Sequence, residues 1–157
     1  MVTGQPTRRP PSWLTLANWL NVPLLRRGFG PGPQRLLSVP GRRTGLLRTT
    51  PVAIVEVDGH RYIVAGWEVS DWVRNARAAG WGIVGRGRHS ERVRLTELPV
   101  NERLPILREF ARTVRGGRAF LTVAPDASDD DFAKASANHP TFRLDSPILI
   151  DSIPGSV

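Results

Sequence analysis

The sequence predicts an α+β protein, mainly β, in which about six strands form an antiparallel barrel-like sheet with short helices inserted between them. Hairpin patterns dominate the middle of the chain, and hairpins join strands antiparallel. The helical patterns are short, without the regular strand–helix alternation that builds parallel sheets. At 157 residues the chain is long enough for a substantial core.

Residues 1–11 read as a flexible, proline-rich tail, and residues 12–157 as a single domain. Ser12 is an N-cap for a helix to about Leu20, with Trp13, Leu16, Ala17, Leu20 and Leu24 near one face. Phe29–Pro33 is a linker and Arg35–Val39 a first strand. Val52–Val57 and Arg61–Ala65 make a hairpin turned at Asp58-Gly59. Ser70 caps a helix over Asp71–Ala79 that Gly80 closes. A second hairpin runs Gly82–Gly85, turns through Arg86-Gly87-Arg88 and returns over Arg92–Leu98. Asn101 opens a helix to about Val114, with Leu104, Leu107, Phe110, Ala111 and Val114 on one stripe and Pro105 tolerated in the first turn. Ala119–Val123 reads as a strand, and Pro147–Ile153 as the last one. Between them Ser128 opens a helix whose acids, Asp129 to Asp131, suit the positive end of the helix dipole. That placement accounts for the acidic run without a metal.

Composition narrows the function classes. The chain has no cysteine, so no disulfide framework, thiol nucleophile or thiolate metal site is available. His60, His89 and His139 are scattered without ligand spacing, and no metal is expected. No apolar run approaches the roughly 20 residues that span a bilayer, and the start lacks a signal-peptide core, so the expected location is the cytoplasm. Residues 12–27, with Trp13, Trp19, Arg26 and Arg27, also fit an interfacial helix in peripheral contact with an anionic membrane.

The net charge of +8 sits in the first third of the chain: residues 1–50 hold eight arginines and no Asp or Glu, while acids and bases cancel in the rest. Such a field attracts anions. Within it lies Gly41-Arg42-Arg43-Thr44-Gly45-Leu46-Leu47-Arg48-Thr49-Thr50-Pro51, between two apolar runs. Glycines let backbone N–H groups converge on an anion, arginines fork onto phosphate or carboxylate oxygens, and hydroxyls fill the remaining lone pairs. The same residues also describe a basic loop that merely faces water. Basic residues and aromatics do not interleave on any expected sheet face, so no nucleic-acid partner is expected.

The order of features resembles the deazaflavin-dependent nitroreductase family, split β-barrel oxidoreductases typical of actinobacteria. The resemblance covers about residues 20–150. It rests on the Gly41–Pro51 motif, Val64-Ala65-Gly66, the Asp71–Gly80 helix with Trp72 and Asn75, the basic turn at Arg86–Arg88, and His139-Pro-x-Phe-Arg-Leu144. It implies coenzyme F420 as cofactor, with FMN the less favoured choice. It implies that Arg43, Thr44, Gly45 and Arg48 hold the phosphate and nearby tail, and that Arg42, Thr49, Thr50 and Pro51 shape the same groove. Ala65, Gly66, Trp72 and Asn75 would border the ring. The reaction implied is hydride transfer between reduced deazaflavin and a small activated acceptor, an enone, quinone or nitro compound, with no catalytic residue assigned. A non-catalytic deazaflavin or lipid binder on the same barrel is the alternative. By analogy with split barrels, a homodimer is an expectation. The chain departs from the family pattern in a shorter segment before the Trp72 helix and in having Tyr62 as its single tyrosine, and the acceptor stays open.

Overall fold

The structure is a computed structural model that describes residues 22–28, 32–68, 70–114 and 119–146. The expected tail, the helix from Ser12 to Leu20 and the strand Pro147–Ile153 lie outside the described residues.

Six strands close into an antiparallel barrel in the order β1-β2-β3-β6-β5-β4. They are β1 (Gln34–Pro40), β2 (Leu47–Val57), β3 (His60–Val64), β4 (Trp81–Arg86), β5 (His89–Glu97) and β6 (Thr141–Asp145). Three α-helices are set between them: α1 (Asp71–Ala79), α2 (Leu104–Thr113) and α3 (Asp129–Ser136). Residues 22–26 are also helical. The expected antiparallel barrel is thus observed. The β2–β3 hairpin turns where expected, with positive φ at both Asp58 (51°) and Gly59 (76°), the twist that a two-residue hairpin requires.

Three expectations need correction. Residues 119–123 are not a strand but an irregular turn, and the barrel is instead closed by β6, which pairs with β3 on one side and β5 on the other. The expected helix from Asn101 is a 3-10 turn at Val100–Glu102 followed by α2 from Leu104. Its delay has a cause: Pro105 has no N–H to bond the Asn101 carbonyl, and the helical bonding runs instead from Leu107 N–H to the Arg103 carbonyl. Finally, β2 begins at Leu47, so the second half of the glycine-arginine stretch is strand rather than loop. Pro51 is tolerated there because β2 gains its second neighbour, β3, only from Ile54 onward.

Two apolar clusters hold the barrel. One fills its interior and includes Leu37, Val39, Val52, Ile63, Val93 and Phe142, together with Val73 and Ala76 from α1. The other lies outside β2 and β3, where Val55, Tyr62 and Val64 meet Leu107 and Phe110 of α2 and Phe132 of α3. Each such side chain contributes about 1.5–3 kcal/mol when fully buried. The inner cluster matters for the site because it seats α1.

Candidate functional site

Strand direction gathers the candidate residues. At one end of the barrel lie the end of β1, the start of β2, the end of β3 and the start of β4. Helix α1 runs from the end of β3 to the start of β4 and buries Val73 and Ala76 in the interior cluster, so it caps that end. The Gly41–Leu46 loop, Ala65, Gly66, Trp72 and Asn75 belong to the same end, and Arg48 to Pro51 lead away from it along β2. The chain makes this rim from segments far apart in sequence.

The loop is closed by its own backbone. Gly41 N–H donates to the Leu46 carbonyl and Gly45 N–H to the Gly41 carbonyl, both at 2.8 Å. Gly45 has φ +72°, a conformation that strains any residue with a side chain. A Cβ on Gly41 would stand 3.1 Å from Thr44 Oγ1 and 3.3 Å from the Leu46 carbonyl oxygen. Thr44 Oγ1 also accepts from Leu46 N–H. Both glycines are therefore required by the turn itself.

A latch joins this loop to α1. Asn75, 4% exposed, accepts at Oδ1 from the Arg42 backbone N–H (3.1 Å) and from Arg42 Nη1 (2.9 Å). Arg42 Nη2 reaches Asp71 at 3.1 Å. Arg42 and Asn75 are thus committed to each other. Arg43, Arg48 and Arg74 are exposed, and none of the three has a hydrogen-bond or ion-pair partner among the described residues. Arg77, in contrast, is held in a two-bond fork by Glu97, with both distances 2.8 Å.

The rest of the rim is more apolar. Thr50 pairs with Leu37 and so shares the inward face of the barrel, while Thr49 Oγ1 bonds Ser38 Oγ at 2.8 Å on the other face. Trp72 is half-buried, its ring tilted against Phe142 at 5.6 Å. Ala65 is buried, and a Cβ on Gly66 would meet Phe120 at 3.1 Å. Phe120 in turn packs edge-on against Trp67. The Leu121–Asp126 segment lines an open groove of about 630 Å³.

His139 pins this apolar wall. It is fully buried, with Nε2 3.1 Å from Thr122 N and Nδ1 2.9 Å from the Ala65 carbonyl. A backbone N–H can only donate, so Nε2 is the acceptor and Nδ1 carries the proton given to Ala65. The imidazole is a brace and not an exposed proton donor. Sequence reasoning missed Arg103 and the Phe120–Thr122 turn. Arg103 donates to the carbonyls of Leu98, Ser136 and His139 and to Glu97, and burial pushes its pKa down. No local pattern distinguishes such an arginine from a surface one; only its tertiary partners do.

A family model described as F420H2-dependent quinone reductase matches residues 23–124. No curated protein matches the chain. Among solved structures, the F420-H2-dependent reductase FDR-A aligns with TM-score 0.51 and 21% identity over 72% of this chain and 94% of that one. A chain described as a domain-swapped dimer aligns at 0.54 and 19% over 85% and 100%. Atu2129, a protein of unknown function from Agrobacterium tumefaciens, aligns at 0.53 and 18% over 91% and 59%. At these identities the structural likeness establishes the fold.

Proposed function

The chain belongs to the F420H2-dependent quinone reductase family and is an F420-dependent reductase, and from that premise we propose that it binds the coenzyme at the α1 end of the barrel and reduces a quinone-like acceptor there. The observation that carries the reading is the pair of exposed arginines, Arg43 and Arg48, which have no partner among the described residues and stand beside a glycine turn already closed by its own hydrogen bonds. The donor set fits a ligand bearing a phosphate and carboxylates, because two guanidinium forks are free for anions.

In this reading Arg43, Thr44, Gly45 and Arg48 hold the phosphate and the start of the tail. Arg42 acts on the loop rather than on the ligand, since Asn75 and Asp71 already occupy it. Thr49, Thr50 and Pro51 continue the groove along β2. Ala65, Gly66, Trp72 and Asn75 border the ring, with Trp67 and Phe120 as the apolar wall beside it. When bound in its reduced form, the deazaflavin supplies a hydride to the acceptor. The protein's share is to orient both partners and to keep water from the apolar wall. An aromatic wall suits a flat acceptor such as a quinone.

The test is a fluorescence titration with oxidised F420, run in parallel with FMN. Saturable binding is expected, weakened at least tenfold in Arg43→Ala/Arg48→Ala, with FMN weaker than F420. Unchanged affinity in the double variant would remove the site from this end of the barrel.

A further inference from the structure

Thr122 is an exposed residue whose hydroxyl has no proton left to give. Its backbone N–H and its Oγ1 both lie against His139 Nε2, at 3.1 Å and 3.0 Å. Nε2 accepts from the N–H and so carries no proton of its own, which makes the hydroxyl a donor to it as well. The Thr122 oxygen therefore turns only lone pairs toward its surroundings. A surface threonine ordinarily gives or takes a hydrogen bond as its neighbour requires. Here a fully buried imidazole fixes the choice.

That oxygen belongs to the groove of about 630 Å³ lined by Leu121, Thr122, Val123, Ala124, Pro125 and Asp126. Leucine, valine, alanine and proline make its walls apolar. Asp126 is exposed and has no partner among the described residues, and its carboxylate only accepts. With the Thr122 proton committed, no side chain along the groove donates and two accept. Such a lining fits an apolar body that carries hydroxyls, and its side chains offer nothing to a carbonyl oxygen.

Reduction of a quinone makes this exchange. One hydride and one proton are added, and two carbonyl oxygens, which only accept, become two hydroxyls that donate. The groove starts at the residue after Phe120, whose ring stands against Gly66 at the proposed ring border. We propose that the Leu121–Asp126 groove is a docking site for the reduced acceptor, a hydroquinone-type diol, and that Thr122 Oγ1 is the atom that tells it from the quinone. The identity of the diol rests on the quinone-reductase reading, whereas the preference for a donor-bearing ligand rests on the His139–Thr122 geometry alone. A groove that holds the product better than the substrate clears the ring site for the next acceptor.

The test is anaerobic titration calorimetry of the full chain, without added coenzyme, against menadiol, its dimethyl ether and menadione. The chain has no cysteine for the quinone to alkylate. Menadiol is expected to bind, with the ether and the quinone about tenfold weaker for want of a donor. Thr122→Val, which keeps the shape and the N–H, is expected to lose about tenfold for menadiol alone. Thr122→Ser, which keeps the hydroxyl, should bind as the parent does. Urea midpoints of both variants close to that of the parent would separate lost binding from lost fold. Equal affinity for menadiol and its ether would overturn the proposal, as would menadiol binding undiminished in Thr122→Val or absent from the parent. The F420 titration uses neither these ligands nor these variants, so failure of one reading is distinguishable from failure of the other.

Discussion

Asn75 shows how a residue at the border of the proposed site can also act through the loop it holds. Its oxygen holds both the backbone and the guanidinium of Arg42, which fixes the start of the loop relative to α1. Asn75→Ala leaves a backbone N–H without its acceptor and is expected to cost about 1–3 kcal/mol in urea unfolding. It should also weaken F420 severalfold, whereas Asn75→Asp, which keeps the acceptor, should restore most of the affinity. Glu97 gives a pH signature at the same scale. Its carboxyl is held below the ordinary value chiefly by the hydrogen bonds from Arg77, against an opposing effect of burial. A carboxylate whose folded pKa is depressed adds stability above its unfolded pKa of about 4.3 and loses it as pH falls toward the folded value. Urea midpoints measured from pH 6 to pH 3 should therefore fall more steeply for the parent than for Glu97→Gln.

Among the elements, α3 depends on a partner from outside it. Arg103 donates to Ser136 and His139 at the carboxyl end of α3, where helix carbonyls lack partners of their own. Arg103→Ala would strand these buried carbonyls and is expected to lose about 2–4 kcal/mol by thermal or urea unfolding. Arg103→Lys should recover only part, because a compact ammonium cannot span acceptors placed around the edge of a planar fork. The elements also show what the sequence made legible. The β2–β3 and β4–β5 hairpins and α1 carry local signals: Asp58-Gly59, Gly87 and the left-handed Gly80. The strand expected at Ala119–Val123 is a short apolar run, whereas the true one at Thr141–Asp145 offers only Phe142 and Leu144 in alternation, too brief a pattern to stand out. Pairing with β3 and β5 decides between them, and that information is tertiary. The rim was legible as chemistry, arginine with glycine, but not the division of labour within it. Nothing local says that Arg42 is latched while Arg43 and Arg48 have no partner among the described residues.

At the scale of the whole molecule, β2 and β3 are the shared wall between two apolar clusters, one inside the barrel and one beneath α2 and α3. The frame is therefore most protected along those strands, and the α1 end borrows its rigidity from them. Ala65 carries that rigidity across: its carbonyl accepts a hydrogen bond from His139 Nδ1–H and its N–H donates to the Pro140 carbonyl. His139 passes it on to Thr122, whose stretch has no strand ladder of its own.

That imidazole brace has a kinetic consequence. Thr122 lies in an irregular turn, where peptide hydrogens ordinarily swap with deuterium within local fluctuations. Its hydrogen is instead engaged by a ring with no exposure to solvent. In heavy water its signal should persist as long as those of β3, and vanish early in His139→Ala. A segment with the outline of a loop would then keep the clock of the barrel.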